Sequence, residues 1–222
     1  MNYFRRVVHI LSKEFSLVNE FLRELRDKDI QQDRARFRKN IERIGQIIAY
    51  EISKEMQSEL HFITTPLGVA QVKKMREQPI IATILRAGLP LQRGLNDMFD
   101  QADLAYISAY RKHDETDHTA FEIVLEYVAT PDINDRILII CDPMLATGQS
   151  LVQTYEAFMH KGKPSKVYLV SVIGSQQGVD YVTSNIPDAD LWIGVVDQDL
   201  DSNGYIVPGL GDAGDLSFGA KV

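Results

Sequence analysis

The apolar positions along the chain follow two different periods, and the change falls near Pro66. Before it, apolar residues recur at helical spacing in two stretches, 12–28 and 33–59. After it, short β-rich runs alternate with helical runs as far as residue 197. This alternation predicts an α/β domain with a largely parallel sheet, preceded by helices.

The strands themselves show two kinds of pattern. Residues 121–128 alternate between apolar and mostly charged side chains, which is typical of a half-buried strand. Residues 136–142 form an apolar run up to Asp142, which predicts a central parallel strand buried on both faces. The other predicted strands are 79–85, 103–110, 167–174 and 190–196, and the predicted helices between strands are 89–99, 150–162 and 176–184.

The composition excludes a disordered chain, a fibrous repeat and a disulfide scaffold, since the 222 residues are 45% hydrophobic and 25% charged. With 24 basic against 31 acidic side chains, the formal net charge of −7 disfavours a protein that mainly grips nucleic-acid backbone. The single cysteine, Cys141, cannot form an internal disulfide, and the first residues lack the apolar region of a signal peptide. No apolar run reaches the roughly 18 residues of a membrane helix. We therefore expect a cytoplasmic protein that engages neither nucleic acid nor membrane.

The segment from Arg136 to Ser150 carries the most informative chemistry. A buried strand ends at Asp142, and a short loop with Thr147 and Gly148 leads into a helix. Ligands of open α/β sheets lie at the carboxyl ends of strands, and N–H groups at a helix N-terminus bind phosphate. Gly148 lets the backbone approach a phosphate, and Asp142 can accept hydrogen bonds from sugar hydroxyls. The spacing is neither that of a Walker A loop nor GxGxxG, and taken alone it also fits an ordinary strand-to-helix turn with capping hydroxyls.

Three segments together resemble one family. CDPMLATGQS at 141–150 resembles the phosphoribosyl-diphosphate signature of phosphoribosyltransferases, in the form typical of uracil phosphoribosyltransferase. ILRAGLPLQRGL at 84–95 is similar to that family's diphosphate loop, and GYIVPGLGDAGDLSFG at 204–219 to its uracil-binding segment. LRDKDI at 25–30 and AYRKHDET at 109–116 also look familial.

The resemblance runs from about Leu25 to Phe218 and implies a fold and an activity. The fold is that of a type I phosphoribosyltransferase, with a largely parallel central sheet flanked by helices in a single domain spanning 1–222. Residues 1–60 are expected to form a helical N-terminal addition, and residues 198–222 a C-terminal hood with the uracil-binding segment. The implied reaction transfers the phosphoribosyl group of 5-phospho-α-D-ribose 1-diphosphate to uracil, giving UMP and diphosphate in pyrimidine salvage.

The resemblance also implies roles for individual residues. The implied catalytic residues are Asp212, Asp142 and Arg111. The residues implied to bind the donor are Arg86, Arg111, Asp142, Pro143, Met144, Leu145, Ala146, Thr147, Gly148, Gln149, Ser150 and Asp212. Those implied to bind uracil, largely through backbone groups, are Ile206, Gly211, Asp212 and Ala213. The implied cofactor is Mg²⁺, held mainly through the donor and water with Asp212 nearby.

Family members associate, so the resemblance implies a homodimer or a higher homo-oligomer, for which the apolar faces of the N-terminal helices offer a contact. GTP is a possible activator, which the sequence does not decide. A non-proline cis peptide of the family is expected near Arg86–Ala87. Four positions depart from the family pattern: Gln149 and Pro90 each replace a Gly, Leu216 replaces a basic residue and Ala220 a Thr. We expect these departures to affect efficiency and effector response more than the reaction.

Two other functions stay open at this point. A non-catalytic regulator that senses a nucleotide and binds RNA or DNA would use the basic cluster Arg34, Arg36, Arg38 and Lys39. A solvated helix face or a subunit contact explains the same cluster. A phosphoribosyltransferase for another base is the second alternative, and the intact YIVPGLGD segment favours uracil over it.

The remaining candidates have simpler interpretations. Cys141 lies within a strand and is predicted to be a small buried hydrophobe rather than a nucleophile. His113 and His118 flank an acidic stretch that could bind a metal, although a solvated loop explains it more simply. Asp197, Asp199 and Asp201 are a second candidate metal loop, but no complete EF-hand pattern follows them.

Overall fold

The computed structural model of the chain describes residues 8–113 and 121–220, with the backbone alone for residues 109–113 and 121–126. Its α-helices within those ranges are α1 (Leu17–Arg26), α2 (Arg34–Ser53), α3 (Leu89–Met98), α4 (Gln149–Met159), α5 (Gln176–Asn185) and α6 (Ala213–Phe218). The strands of the first half are β1 (Val8–Ile10), β2 (Ser58–Thr65), β3 (Gly68–Met75), β4 (Ile80–Leu85), β5 (Asp103–His113) and β6 (Phe121–Ala129). Those of the second half are β7 (Ile137–Cys141), β8 (Met144–Leu145), β9 (Lys166–Ser175), β10 (Asp190–Asp197), β11 (Asp199–Leu200) and β12 (Ile206–Val207).

The main sheet of the described residues has eight strands in the order β1-β10-β9-β7-β4-β5-β6, with β8 paired to β9. All neighbouring strands are parallel except β5 and β6, which are antiparallel. β7 lies in the middle of the sheet and is buried along its whole length. The predicted α/β fold, a largely parallel central sheet flanked by helices, is confirmed.

Two hydrophobic cores, one on each face of the sheet, explain the continuous apolar run of β7. Ile139 and Cys141 point into the core that α1, α2 and α3 cover. Leu138 and Ile140 point into the core that α4 and α5 cover. Every position of this strand is therefore removed from water, and alternation between apolar and polar residues is absent.

The N-terminal region differs from the predicted pair of helices. α2 ends at Ser53, so the prediction of helix up to residue 59 was wrong, and β2 and β3 follow as a hairpin. Within the described residues these two strands pair only with each other. β1, which the helical interpretation of residues 1–60 did not include, pairs in parallel with β10 at the edge of the main sheet. A strand of three residues is too short for its period to be read from sequence.

The basic cluster at the start of α2 is largely engaged within the protein. Arg36 donates to the two carboxylate oxygens of Glu24 at 2.8 and 2.7 Å, which joins α2 to α1. Arg38 Nη1 donates to Ser217 O at 2.6 Å, which joins α2 to α6. The hydrogen bond from Arg36 is the largest of several contacts that hold the pKa of Glu24 at about 2. These contacts favour a structural role for the cluster over RNA binding.

Candidate active site

The loop after β7 is anchored to β9 around Asp142. Asp142 N donates to Val170 O at 3.1 Å, and Pro143 O accepts from the N–H groups of Val172 and Ile173, both at 3.0 Å. β8 then continues the pairing with β9. These bonds fix the loop at the carboxyl end of the sheet, where ligands of open α/β folds bind.

Gly148, directly before α4, has a conformation that other residues rarely adopt. Its φ is 81°, and a Cβ atom there would lie 2.9 Å from Val182 Cγ2 and 3.0 Å from Gly178 O. Ser175 Oγ holds the same turn by donating to Ala146 O at 2.6 Å. In the described part of the chain no side chain caps α4, so its first N–H groups are available to an anion.

A cavity of about 30 Å³ lies inside this loop. Its lining residues are Asp142, Met144, Leu145, Ala146, Thr147, Gly148, Ser150, Leu151 and Ser171. Seven of these nine were predicted to bind the donor, whereas Pro143 and Gln149, also predicted, do not line the cavity. Since this volume suits little more than a single water molecule, a phosphate would bind at the mouth of the cavity.

Cys141, at the end of β7, has the properties of a buried hydrophobe. It has no exposed surface, and its Sγ lies 3.6 Å from Thr83 Oγ1. Burial raises the pKa of the thiol to about 12, so the thiolate is not populated near neutral pH. The prediction that Cys141 is structural is confirmed.

The second predicted loop follows β4 and begins with a cis peptide bond between Leu85 and Arg86. The non-proline cis peptide expected near Arg86–Ala87 is therefore present, one peptide bond earlier in the chain. The chain turns back sharply here: Gly88 N donates to Ile84 O at 3.0 Å, and a Cβ on Gly88 would lie 2.6 Å from that oxygen. This loop brings Arg86 to the same edge of the sheet as Asp142, since β4 and β7 are parallel neighbours.

The C-terminal segment, residues 206–212, has a backbone shaped by proline and glycine. The Val207–Pro208 peptide bond is cis, and Gly209 and Gly211 have φ values of 61° and 92°. A Cβ on Gly209 would lie 2.0 Å from Ile206 O, so only glycine can occupy this position. The sharp turn presents backbone groups rather than side chains.

An ion pair between α1 and β10, which we call the Arg26–Asp197 clamp, holds this segment. Arg26 donates to both carboxylate oxygens of Asp197, at 2.7 and 2.8 Å, and to Gly209 O at 3.2 Å. Gly209 N donates to Asp197 Oδ2 at 2.9 Å. Burial alone would raise the pKa of Asp197, but the bonds from Arg26 and Gly209 and the charge of Arg26 outweigh it and lower that pKa.

Asp212 and Arg86 form hydrogen bonds at the two ends of α6. Asp212 Oδ1 caps the helix by accepting from Asp215 N at 2.9 Å. Arg86 Nη2 donates to Gly219 O, just beyond the helix, at 3.3 Å and lies 3.5 Å from Asp215 Oδ1. The predicted diphosphate loop and the predicted uracil-binding segment are therefore in direct contact.

The phosphate loop meets the same C-terminal helix. Ala213 N donates to Met144 Sδ at 3.3 Å. A Cβ on Gly214 would lie 3.8 Å from Ala87 Cβ, which places the diphosphate loop beside them. The three segments, which are far apart in the sequence, thus form one site at the carboxyl end of the sheet.

Not every predicted residue can be placed in this site. Arg111 lies on β5 opposite Ile123, and its side chain is outside the described residues, so its role stays a prediction. His118 lies outside the described residues altogether. Ile206 is buried on β12, whereas Gly211 is exposed.

The first metal loop considered from the sequence, with His113 and His118, lies outside the residues whose side chains the structure describes. Among the described residues, which include the second loop, no group of three or more His, Cys, Asp or Glu side chains could hold a metal. Asp197 belongs to the clamp. Asp201 Oδ1 accepts from Asn203 N and Tyr205 N at 2.9 and 2.8 Å and so stabilises a turn.

The four departures from the family pattern all lie outside the lining of the loop cavity. Pro90 is near the start of α3, where a backbone N–H has no acceptor within the helix, so its missing N–H costs no helical hydrogen bond. Gln149 is the first residue of α4. Leu216 and Ala220 line a second cavity, of about 380 Å³, whose other lining residues are Gln31, Gln32, Arg34, Leu210, Gly211, Asp212 and Asp215.

The sequence alone indicates no role for Arg26, although this residue belongs to LRDKDI, one of the segments that resemble the family. Its partner Asp197 was considered only as part of an acidic stretch. Because 171 positions separate the two residues, neither period nor local spacing could join them.

Comparison with known proteins agrees with the geometry of the site. Residues 13–220 match the family model described as uracil phosphoribosyltransferase. The chain is 50% identical to the uracil phosphoribosyltransferase of Porphyromonas gingivalis over 217 residues, 97% of this chain and 99% of the relative. It is 36% identical to the uracil phosphoribosyltransferase of Pyrococcus furiosus over 208 residues, 92% of this chain and 87% of the relative.

A solved structure shares the fold over nearly the whole length. The AQ2163 protein from Aquifex aeolicus superposes with a TM-score of 0.85 at 28% identity, covering 97% of this chain and 100% of the other. Together with the match over residues 13–220, these similarities establish that the chain belongs to the uracil phosphoribosyltransferase family.

Proposed function

We propose that the chain transfers the phosphoribosyl group of 5-phospho-α-D-ribose 1-diphosphate to uracil, giving UMP and diphosphate. The observation that carries this proposal is the contact between the phosphate loop and the C-terminal segment at Met144 and Ala213. This contact brings a phosphate-binding helix start beside the turn that proline and glycine form in the C-terminal segment. A single domain spanning residues 1–222 would then hold both substrates.

The donor is held at the carboxyl end of the sheet. The helix start after Gly148, with the hydroxyls of Thr147 and Ser150, binds the 5′-phosphate, because uncapped N–H groups and hydroxyls donate to phosphate oxygens. Asp142, at the rim of the same loop, accepts from the ribose hydroxyls. Arg86, and Arg111 as predicted from the resemblance, contact the diphosphate.

Uracil is bound mainly by backbone groups of the C-terminal segment. Its edge alternates acceptors and donors, which suits the C=O of Ile206 and the N–H groups of Gly211 and Ala213. Cytosine presents the opposite pattern at two positions, N3 and the group on C4, and would leave buried groups unpaired. The clamp keeps these backbone groups in place, since Gly209 is bonded through both its N–H and its C=O.

The reaction needs electrostatic stabilisation rather than a protein nucleophile. N1 of uracil forms the new bond to C1′ of the ribose while the bond from C1′ to the diphosphate oxygen breaks, and the N1 proton is released. Positive charge grows on the sugar, which the Asp212 carboxylate stabilises, and negative charge grows on the diphosphate, which Arg86 stabilises.

A magnesium ion suits this arrangement as a partner of the donor. The donor oxygens and water would supply most of its coordination, with Asp212 nearby, and the described residues contain no group of three or more His, Cys, Asp or Glu side chains that could hold it without the donor. When bound, Mg²⁺ would neutralise part of the negative charge that develops on the leaving diphosphate.

The assay that tests the proposal measures UMP and diphosphate from uracil, the donor and Mg²⁺. We expect the two products in equal amounts and a preference for uracil over cytosine of at least about 10³-fold, because a site built to hydrogen-bond one base leaves groups unpaired with another. Adenine, hypoxanthine and guanine complete the panel, and GTP is added as a candidate activator. Binding of both substrates without turnover, or turnover of another base instead, would contradict the proposal.

The proposal includes a homodimer or a higher homo-oligomer formed through the β2–β3 hairpin. Leu60, Phe62 and Val69 on this hairpin are 64%, 66% and 73% exposed. A two-stranded hairpin is only marginally stable in water by itself, so a second copy would both cover the apolar side chains and support the strands.

Light scattering after size exclusion tests this contact. The double substitution of Leu60→Ser and Phe62→Ser is expected to convert the oligomer to smaller species. Phe15→Ser removes a still more exposed side chain from the N-terminal region, which is the contact expected from sequence, and should leave the assembly unchanged. The opposite pattern would assign the interface to the N-terminal helices.

No helix among residues 8–113 and 121–220 is long and apolar enough to cross a bilayer. We assign the reaction to the cytoplasm, on the support of a single cysteine that is buried and unpaired.

A further inference from the structure

The backbone N–H of Ala213 is a buried donor whose acceptor is a methionine sulfur. Ala213 has no exposed surface, and its N–H donates to Met144 Sδ at 3.3 Å. As the first residue of α6, Ala213 has no acceptor for this N–H within the helix. A thioether is a weak acceptor, so the donor is paired less well than it would be with a carbonyl oxygen.

The backbone of Met144 is fixed, but its side chain can move. Met144 N donates to Asp142 Oδ1 at 3.3 Å, and Met144 pairs with Ile173 in the main sheet. The residue is half-buried, and its side chain has three rotatable bonds and no branch. The sulfur can therefore leave Ala213 without a change in the phosphate loop.

The groups around Ala213 are already arranged to receive a base. Asp212 caps the helix, and the clamp holds Gly209 on the other side of the segment. A carbonyl oxygen of the base can take the place of the sulfur, so that the Ala213 N–H is paired both before and after binding. The difference between these two acceptors then contributes to the affinity for the base.

We infer that in the free protein the Met144 thioether occupies the position of the base carbonyl on the Ala213 N–H, and that the base must displace it. Met144 is thus a positioning residue that keeps a buried donor paired in the free protein. Only a base with a hydrogen-bond acceptor stronger than sulfur can displace it. This inference rests on the proposed function, because it requires Ala213 to bind uracil.

Met144→Leu tests the inference because it removes the acceptor with little change in side-chain volume. In this variant the Ala213 N–H has no acceptor in the free protein, which raises the free energy of the free protein but not that of the complex. UMP is therefore expected to bind about 3- to 10-fold more tightly in calorimetry. Because Met144 also lines the cavity of the phosphate loop, ribose 5-phosphate, which has no base, is titrated with the same variant, and the ratio of the UMP affinity to the ribose 5-phosphate affinity is expected to rise by the same roughly 3- to 10-fold. Met98→Leu, at the exposed end of α3, is the matched control and should change neither affinity.

Met144→Ala distinguishes displacement from contact with the base. It should also tighten UMP binding, whereas weaker or unchanged binding in both variants would overturn the inference. In the wild type, the ¹³C-methyl resonance of Met144, assigned by its loss in Met144→Leu, should shift more with UMP than with ribose 5-phosphate, because only UMP displaces the sulfur. Equal shifts with both ligands would also overturn it. Failure of the proposed function is a separate result, namely wild-type protein that forms no UMP.

Discussion

Asp212→Asn is expected to lower kcat for UMP formation by about 10²-fold or more while the fold persists. The substitution removes the negative charge beside the developing positive charge of the ribose. It keeps an oxygen that can cap α6, because Asn caps helices about as well as Asp, so the bond to Asp215 N survives. Steady-state kinetics and thermal unfolding of the purified variant measure the two effects separately.

Asp201→Asn is the matched control for this prediction. Like Asp212, Asp201 accepts backbone N–H bonds through its Oδ1, in this case two, and it lies in an exposed turn before the C-terminal segment. The substitution is expected to leave kcat within about twofold of the wild type, since exposed changes away from the site have small effects. Near-normal activity of Asp212→Asn would remove Asp212 from its assigned role.

Breaking the Arg26–Asp197 clamp is expected to lower the free energy of unfolding by about 3 kcal/mol and to abolish most of the activity with uracil. Arg26→Gln leaves Asp197, which is only 9% exposed, without its charged partner. The same change frees Gly209 O, so the C-terminal segment loses its fixed turn. Denaturant unfolding and the KM for uracil report the two consequences.

The stability that this clamp contributes depends on pH in a defined direction. Because the folded pKa of Asp197 lies below its ordinary value, the contribution is complete above the unfolded pKa of about 3.9 and is lost as the pH falls through the folded value. Asp197→Asn should therefore lower the free energy of unfolding near neutral pH. As the pH is lowered, the free energy of unfolding of this variant should fall less than that of the wild type.

Arg23→Gln is the control for the clamp, because Arg23 pairs with Glu20 at 3.1 Å with both side chains more than half exposed. An exposed pair of this kind contributes at most about 1 kcal/mol. Equal losses of stability in Arg23→Gln and Arg26→Gln would show that the clamp has no special role.

The sheet and the phosphate loop were predictable from sequence because their signals are local. β7 has a continuous apolar run, and the turn after it contains both the carboxylate and the glycine that the site uses. Asp212, by contrast, was identified through the resemblance of residues 204–219 to the family's uracil-binding segment, and the helix that follows it was not predicted. The patterns of β7 and of the turn after it can be recognised in the sequence because burial and helix capping depend on residues that are close together in the chain.

The hairpin and the clamp could not be predicted in the same way. β2 and β3 have no buried face, so Leu60 and Phe62 are apolar positions without a core to explain them. Arg26 and Asp197 are charged residues that look like ordinary surface until the fold joins them. Contacts between distant charged residues carry no period, and only the assembled structure reveals them.

The clamp also has a consequence for the order in which the site is assembled. Its bonds connect residue 26 with residues 197 and 209, whereas the phosphate loop is closed by bonds between β7, β8 and β9. Contacts between distant parts of a chain form late, because a long loop must first be closed. The phosphate-binding half of the site is therefore expected to be in place before the base-binding half, so that a folding intermediate would bind ribose 5-phosphate before it could select a base.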